Sequence, residues 1–390
     1  MNPPFVRSRF TWLAYLMLAY FAYLQLSLGP VMPLLRAELS LSYSLGALHA
    51  TVFAFGSVLI GLSGERINRR LGNHATFWGG SAALALATLA FISGQTIAVT
   101  LPAIFLMGVT GSMVITIVQS LLSYEHGVNR APALLEANLA ALVAATLAPL
   151  LIGSFERWGL GWRSAVLVPL AAWLLMALTN LRRPVPEAPL EEEAAKAAGR
   201  LSRRYWLYWL AMFFGIAAEW CLALWSADFL VAAAALPAAT AALLLSVFMA
   251  AGIAARLAVS IVGRRVRPST LLLLAHTVIL LSFPLLWLAT ALPLRVAGLF
   301  IAGFGAYALF PLALAAALNA EPRRTAQASA RLALAGGGAI LINPQLLGML
   351  ADQIGLARAF GVVPLYVVLA MGATIAARWA DGATAAEAAR

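Results

Sequence analysis

The chain has 390 residues, of which 63% are hydrophobic and only 11% charged, and its mean hydropathy is +0.89. A soluble domain is about 25% charged, so this chain has too little polar surface to face water, and its main solvent is lipid. Its net charge of +11 sits in short clusters between apolar runs, which argues against a nucleic-acid surface and fits the excess of Lys and Arg on the inner side of a membrane.

The N-terminal segment to Arg9 carries two arginines, and the apolar stretch after it is long enough to span and has no small-residue cleavage site, so no cleavable signal is expected. A spanning helix needs roughly 20 apolar residues. With charges, Gly and Pro as breaks, twelve are predicted, at 11–34, 43–63, 73–93, 96–123, 131–154, 163–181, 204–227, 236–262, 270–290, 294–318, 325–350 and 360–378. Most connections are a few residues long. The stretch from Arg182 to Arg204 is the exception, with Pro184, Pro186 and three consecutive acids, Glu191, Glu192 and Glu193. The expected organisation is a six-helix bundle over 1–181, a polar linker over 182–204, a second six-helix bundle over 205–379 and a tail over 380–390. With the N-terminus inside, 19 of the 26 Lys and Arg residues fall on inner segments and five on outer loops. That asymmetry places both termini in the cytoplasm of a bacterial-type inner membrane.

A shift of 195 residues superposes the two halves. Pro149 and Gly153 in "LAPLLIG" fall on Pro344 and Gly348 in "INPQLLG", Arg69-Arg70 on Arg264-Arg265, Pro169 on Pro364 and Glu136 on Arg331. Two six-span halves in parallel repeat form a transporter architecture with a substrate site near the midplane.

The inner loop between spans two and three reads Gly61-Leu-Ser-Gly64-Glu65-Arg66-Ile-Asn-Arg69-Arg70-Leu-Gly72. Small Gly61 and Gly64 are expected to let two helices approach, and Arg66, Arg69 and Arg70 to hold the loop at the anionic inner leaflet. This loop resembles the signature of the major facilitator superfamily, with Glu65 where that family usually has Asp. "GWRSAV" opening span six, "GFGAYALFP" in span ten and "GMLADQIG" ending span eleven are also similar to that family. The resemblance implies an all-α membrane fold of twelve helices in two pseudo-symmetric six-helix bundles, with spans one, four, seven and ten lining the cavity. Drug–proton antiporters of the family carry an arginine in span four ahead of a glycine. Here Ile104 stands at that place before Gly108, which weakens a drug-antiport reading. Span seven, "GIAAEWCLALWSADFL", resembles the sugar-symporter branches.

Charges within spans are costly, roughly 3 kcal/mol on insertion scales, and mark pathways. Four stand out: Glu136, Glu219, Arg256 and Arg331. Glu136, Arg256 and Arg331 lie about 9 Å from an inner end, within reach of snorkelling. Since the family faces span five to eight and two to eleven, the resemblance implies inner-gate pairs Glu136–Arg256 and Glu65–Arg331; the alternative is arginines that merely snorkel. Glu219 lies about 13 Å below Asp228, with no Arg or Lys expected at its depth. A carboxylate without a partner in a low-dielectric cavity takes up a proton, so Glu219 is the candidate for proton coupling or substrate binding, the alternative being a neutral acid bonded to Tyr23 or Gln25. The other cavity candidates are Tyr20, Tyr23, Gln25, Thr116, Gln119, Trp220, Trp225, Tyr307, Asn343 and Gln345, the last two flanking Pro344.

This lining suits a neutral or cationic solute, sugar-like or drug-like, better than a dicarboxylate or phosphate ester, which would want arginine. Cys221 is the single cysteine and lies in an apolar run, so no disulfide framework or zinc cluster is expected. His49, His74, His126 and His276 show no metal-ligand spacing. No cofactor, metal or catalytic residue is expected. The chain is read as a monomeric secondary transporter rather than an enzyme, with a small-molecule solute, protons and the lipid bilayer as its partners. The alternatives are a non-transporting sensor that kept the fold and a drug–proton antiporter with degenerate motifs. The topology has a direct check. A thiol introduced as Leu190→Cys should react with a membrane-impermeant maleimide only from the cytoplasmic side, one introduced as Leu160→Cys only from outside, and Cys221 from neither.

Overall fold

The computed structural model describes residues 5–187 and 200–388, and the side chains of Glu65, Ala326 and 381–388 are outside the description; most of the expected linker, Glu191 to Glu193 included, also lies outside the described residues. Fourteen α-helices follow one another, and no strand occurs among the described residues. The first half comprises α1 (Arg9–Leu26), α2 (Leu28–Leu39), α3 (Tyr43–Leu71), α4 (Asn73–Ser93), α5 (Ile97–His126), α6 (Arg130–Arg157) and α7 (Trp162–Asn180). The second comprises α8 (Arg203–Ala234), α9 (Ala238–Val262), α10 (Pro268–Phe283), α11 (Leu292–Ala320), α12 (Thr325–Ile354), α13 (Leu356–Ala359) and α14 (Val362–Ala388). Lipid explains why only helices appear, since a helix satisfies its backbone groups internally.

α1 and α2 act as one crossing, Arg9–Leu39, interrupted only at Ser27. α5 and α6 form an apolar stretch of 61 residues, Ile97–Arg157, long enough to cross twice, and turn back at Gly127–Asn129. The short α13 precedes α14 in the final crossing. The described residues thus make twelve crossings. α10 runs into a π-helical turn over Pro284–Leu288, where the proline withdraws a backbone donor.

The 195-residue repeat appears in the helix starts. Tyr43 and Ala238, Asn73 and Pro268, Ile97 and Leu292, and Arg130 and Thr325 open α3 and α9, α4 and α10, α5 and α11, and α6 and α12 at that same spacing. Residue contacts group the chain into two units, Met1–Glu191 with Pro237–Ser246, and Glu192–Leu236 with Val247–Arg390. In the first unit α1 packs on α6, and α5 on both α3 and α4; in the second α8 packs on α12 and α14, and α11 on α10. Serine caps recur too: Ser8 and Ser202 accept hydrogen bonds from the Thr11 and Tyr205 backbone N–H groups at the starts of α1 and α8.

Close packing rests on glycines deeper than the loop. A Cβ on Gly108 of α5 would strike the Phe53 carbonyl of α3, and one on Gly303 of α11 would lie 2.5 Å from the Phe248 carbonyl of α9. Both pairs are 195 residues apart, so each half brings the same two helices together through a glycine on a phenylalanine carbonyl. The close approach expected at Gly61 and Gly64 is absent among the described residues. A Cβ on Gly61 would meet nothing within 4 Å, and one on Gly64 only Ile60 of its own helix at 3.2 Å. These glycines sit toward the C-terminal end of α3, beyond its contact with Gly108 of α5.

At the end opposite the basic loops, Arg163 ties the first unit together. Its guanidinium lies 2.5 Å from Glu38, donates to the Ile92 and Gly94 carbonyls, and sits over the Trp162 ring. Such multi-point bonding by one guanidinium holds three segments together, the ends of α2 and α4 and the start of α7. Gly108→Ala and Gly303→Ala should each lower the unfolding free energy by about 1–3 kcal/mol, whereas Gly61→Ala should be neutral or slightly stabilising. Thermal unfolding of the three purified variants checks this, and equal melting temperatures would refute the packing argument.

Candidate functional site

In the second unit, Glu219, Arg256 and Tyr307 stand on α8, α9 and α11. Glu219 sits on α8, one turn beyond Gly215, and is half-buried. It makes no hydrogen bond or ion pair with the described residues. Arg256, exposed on α9, nevertheless lies close enough for its charge to act on Glu219, and both charges act on the Tyr307 hydroxyl of α11.

Tyr307 is fixed from several directions. Its ring lies 5.4 Å from that of Phe248, its hydroxyl donates to the Met249 sulfur at 2.7 Å, and a Cβ on Gly252 would press on the ring at 2.6 Å. Gly252 stands one turn before Arg256 on α9, so the glycine that seats the tyrosine also sets the height of the arginine. Trp225, expected to face a cavity, is fully buried and donates from Nε1 to the Pro344 carbonyl of α12 at 3.2 Å. Asn343 is also buried, its amide donating to the Ala339 carbonyl of its own helix. Both are structural in this unit. Trp220 and Gln345 are half-buried.

In the first unit Tyr23 is buried and gives its hydroxyl to the Ala165 carbonyl at 2.9 Å, which joins α1 to α7. Tyr20 donates to the Ser81 carbonyl of α4 at 3.5 Å and stacks on Trp173. Gln25 and Gln119 are half-buried and Thr116 is exposed. Of the first-unit candidates these last three retain groups open to approach.

The halves differ where their equivalents meet. Positions 20 and 81 hold Tyr and Ser; 195 residues on stand Gly215 and His276. A Cβ on Gly215 would lie 3.9 Å from His276 Nε2, so the histidine fills space that the tyrosine takes in the first unit. His276 is fully buried, and its ring nitrogens have no hydrogen-bond partner among the described residues.

At the ends that carry the basic loops, Glu136 receives Arg7 through both carboxylate oxygens at 2.7 and 2.5 Å and the Tyr15 hydroxyl at 3.1 Å. Ser8 donates to Glu125, and Thr11 bonds His126 at 2.9 Å. The arm before α1 is thus strapped to the end of α5 and the start of α6. Arg7 is legible in the sequence only as a topogenic charge, because nothing in its spacing announces a partner 129 positions away. Arg331 is exposed and lies over the Trp206 ring at 5.6 Å. Arg66, Arg69 and Arg70 are exposed at the end of α3, and Glu65, assigned to Arg331, belongs to the same turn with its side chain outside the description. Trp225→Phe, which removes the donor to Pro344, should cost about 1–3 kcal/mol, and Trp220→Phe less; chemical unfolding of both variants checks the order.

A match to the Major Facilitator Superfamily spans residues 11–344. A search of curated protein sequences returns no match to this chain. Among solved structures, a bacterial homolog of the human lysosomal transporter Spinster, inward-facing and unoccupied, aligns with TM-score 0.75 at 16% identity over 95% of this chain and 96% of its own. The same homolog in its occupied form gives 0.77 at 16% identity, over 96% and 98%. A point mutant of the nucleoside transporter NupG gives 0.77 at 13% identity over 94% and 98%. At such identities the structural likeness speaks for the fold, and the family match extends over most of the sequence. With twelve crossings, a 195-residue repeat and charges set within the spans, the chain belongs to the Major Facilitator Superfamily of membrane transporters.

Proposed function

We propose that this transporter moves a small neutral or cationic solute by alternating access and couples that movement to protons through Glu219. The carrying observation is a half-buried carboxylate that lacks a direct partner among the described residues yet feels the charge of Arg256, with the Tyr307 hydroxyl close to both. An ionised Glu219 and Arg256 together carry no net charge. Protonation of the acid leaves a bare positive charge in a weakly screening interior, which alters the energy of every dipole and substrate group nearby. One proton can therefore bias the conformational equilibrium, as coupling requires.

The near-cancellation of charge also favours a neutral, hydrogen-bonding solute over a cation, because a cation beside Arg256 would be repelled. In the second unit, half-buried Trp220, next to Glu219 in the chain, offers an aromatic face for such a molecule. Nucleosides, the cargo named for NupG, fit that description and belong with sugars in the first assays. Inner gating by the pairs Glu136–Arg256 and Glu65–Arg331 is part of the proposal, with Arg7 as a competing partner for Glu136.

Reconstitution in proteoliposomes tests the reading. Glu219→Gln keeps the shape and hydrogen-bonding capacity of the side chain but cannot exchange a proton. It should abolish accumulation driven by a pH gradient while solute counterflow continues. Arg256→Ala should reduce transport strongly in the wild-type background and little further in Glu219→Gln. Unchanged pH-driven accumulation in Glu219→Gln would refute proton coupling at this residue.

A further inference from the structure

Where α9 ends, Ser260, Ile261, Val262, Arg264, Arg265 and Val266 line a half-open pocket of about 560 Å³. Arg264, Arg265 and Arg267 have no hydrogen-bond or ion-pair partner among the described residues, and no acid occurs between Arg256 and Arg267. The apolar side of the pocket continues along the helix surface, with Ile261 71% and Leu257 55% exposed. A concentrated positive charge is thus set beside an exposed aliphatic strip at the end of a membrane-length helix.

The equivalent loop of the first unit is closed by the protein itself. Asn68 donates to Asn73, Asn73 to the Pro186 carbonyl, and His74 bonds the Leu181 carbonyl, which draws the chain leaving α7 over the end of α3 and the start of α4. At the corresponding positions the second unit has Gly263, Pro268 and Ser269 in place of Asn68, Asn73 and His74. Without the two amides this strap cannot be reproduced, and the basic loop stays open.

We infer that this pocket binds the phosphate of an anionic phospholipid of the inner leaflet. Arg264 and Arg265 hold the phosphodiester oxygens, and Ile261, Val262 and Val266 meet the glycerol backbone and first methylenes. Guanidinium groups suit such oxygens in geometry and charge, and a phosphodiester needs its aliphatic continuation to use the strip above it. The inference assumes that the basic loops face the cytoplasm, and it is independent of the cargo.

The test is native mass spectrometry of the delipidated full chain titrated with phosphatidylglycerol or phosphatidylcholine. Wild-type protein should retain phosphatidylglycerol selectively, and Arg264→Gln/Arg265→Gln should weaken that retention about tenfold. Arg182→Gln/Arg183→Gln, just after α7, removes the same charge elsewhere and should retain it as wild type does. Equal retention by the Arg264/Arg265 variant, or equal binding of phosphatidylcholine, would overturn the site. Displacement of the lipid by millimolar inorganic phosphate would also overturn it, in favour of a free-anion site. Retention that appears only in Asp381→Asn/Glu387→Gln would overturn it in favour of the chain's own acidic tail.

Discussion

In a hydrocarbon solvent a polar group must find its partner inside the protein or reach the water at either end, because lipid provides neither hydrogen bonds nor screening. That constraint orders almost everything in this chain. The backbone meets it by being helical throughout the crossings. Tyr20, Tyr23 and Trp225 meet it by donating to carbonyls on neighbouring helices, and Ser57 by donating to the carbonyls of Phe53 and Gly108. Arg163 and Glu136 meet it at opposite ends by gathering several partners each. Glu219 and His276 stand apart from this rule, neither having a hydrogen-bond partner among the described residues, and the acid carries the functional argument.

Helix crossings depend on the same scarcity of partners. Gly108 and Gly303 place a helix backbone against the exposed carbonyl edge of another, where a methyl group would not fit. Because the two contacts are equivalent in the repeat, one packing solution serves both halves. Side chains then diverge around a shared backbone frame, as the loops after α3 and α9 do.

The crossings are readable in the sequence because charge, glycine and proline interrupt apolar runs at membrane length, and helix starts at the constant spacing bear this out. The repeat is readable for the same reason. Side-chain partners are not. Helix-by-helix depth treats each span as a vertical rod and considers only charges within spans, so it overlooks Arg7, which lies beside Glu136. Polarity in mid-span points to function by default and so directs Trp225 and Asn343 to a cavity, yet each has a backbone carbonyl to satisfy it. Gly61 and Gly64 look like packing residues in a motif, while the glycines that do bring helices together, Gly108 and Gly303, lie deeper in the spans, where nothing in the sequence says which helix they meet. Burial of one face against another is a tertiary fact that periodicity does not encode.

The exchange of Tyr20 and Ser81 for Gly215 and His276 bears on the history of the fold. In each half one partner is large and the other small, but the large one sits on opposite members of the helix pair. Such an inversion cannot arise by a single replacement without passing through either a collision of two rings or a void. The two halves have therefore crossed that barrier by linked changes, and their helices are no longer interchangeable parts. A hybrid carrying α1 at the place of the first turns of α8 would set a phenol against an imidazole, despite a backbone that accepts either.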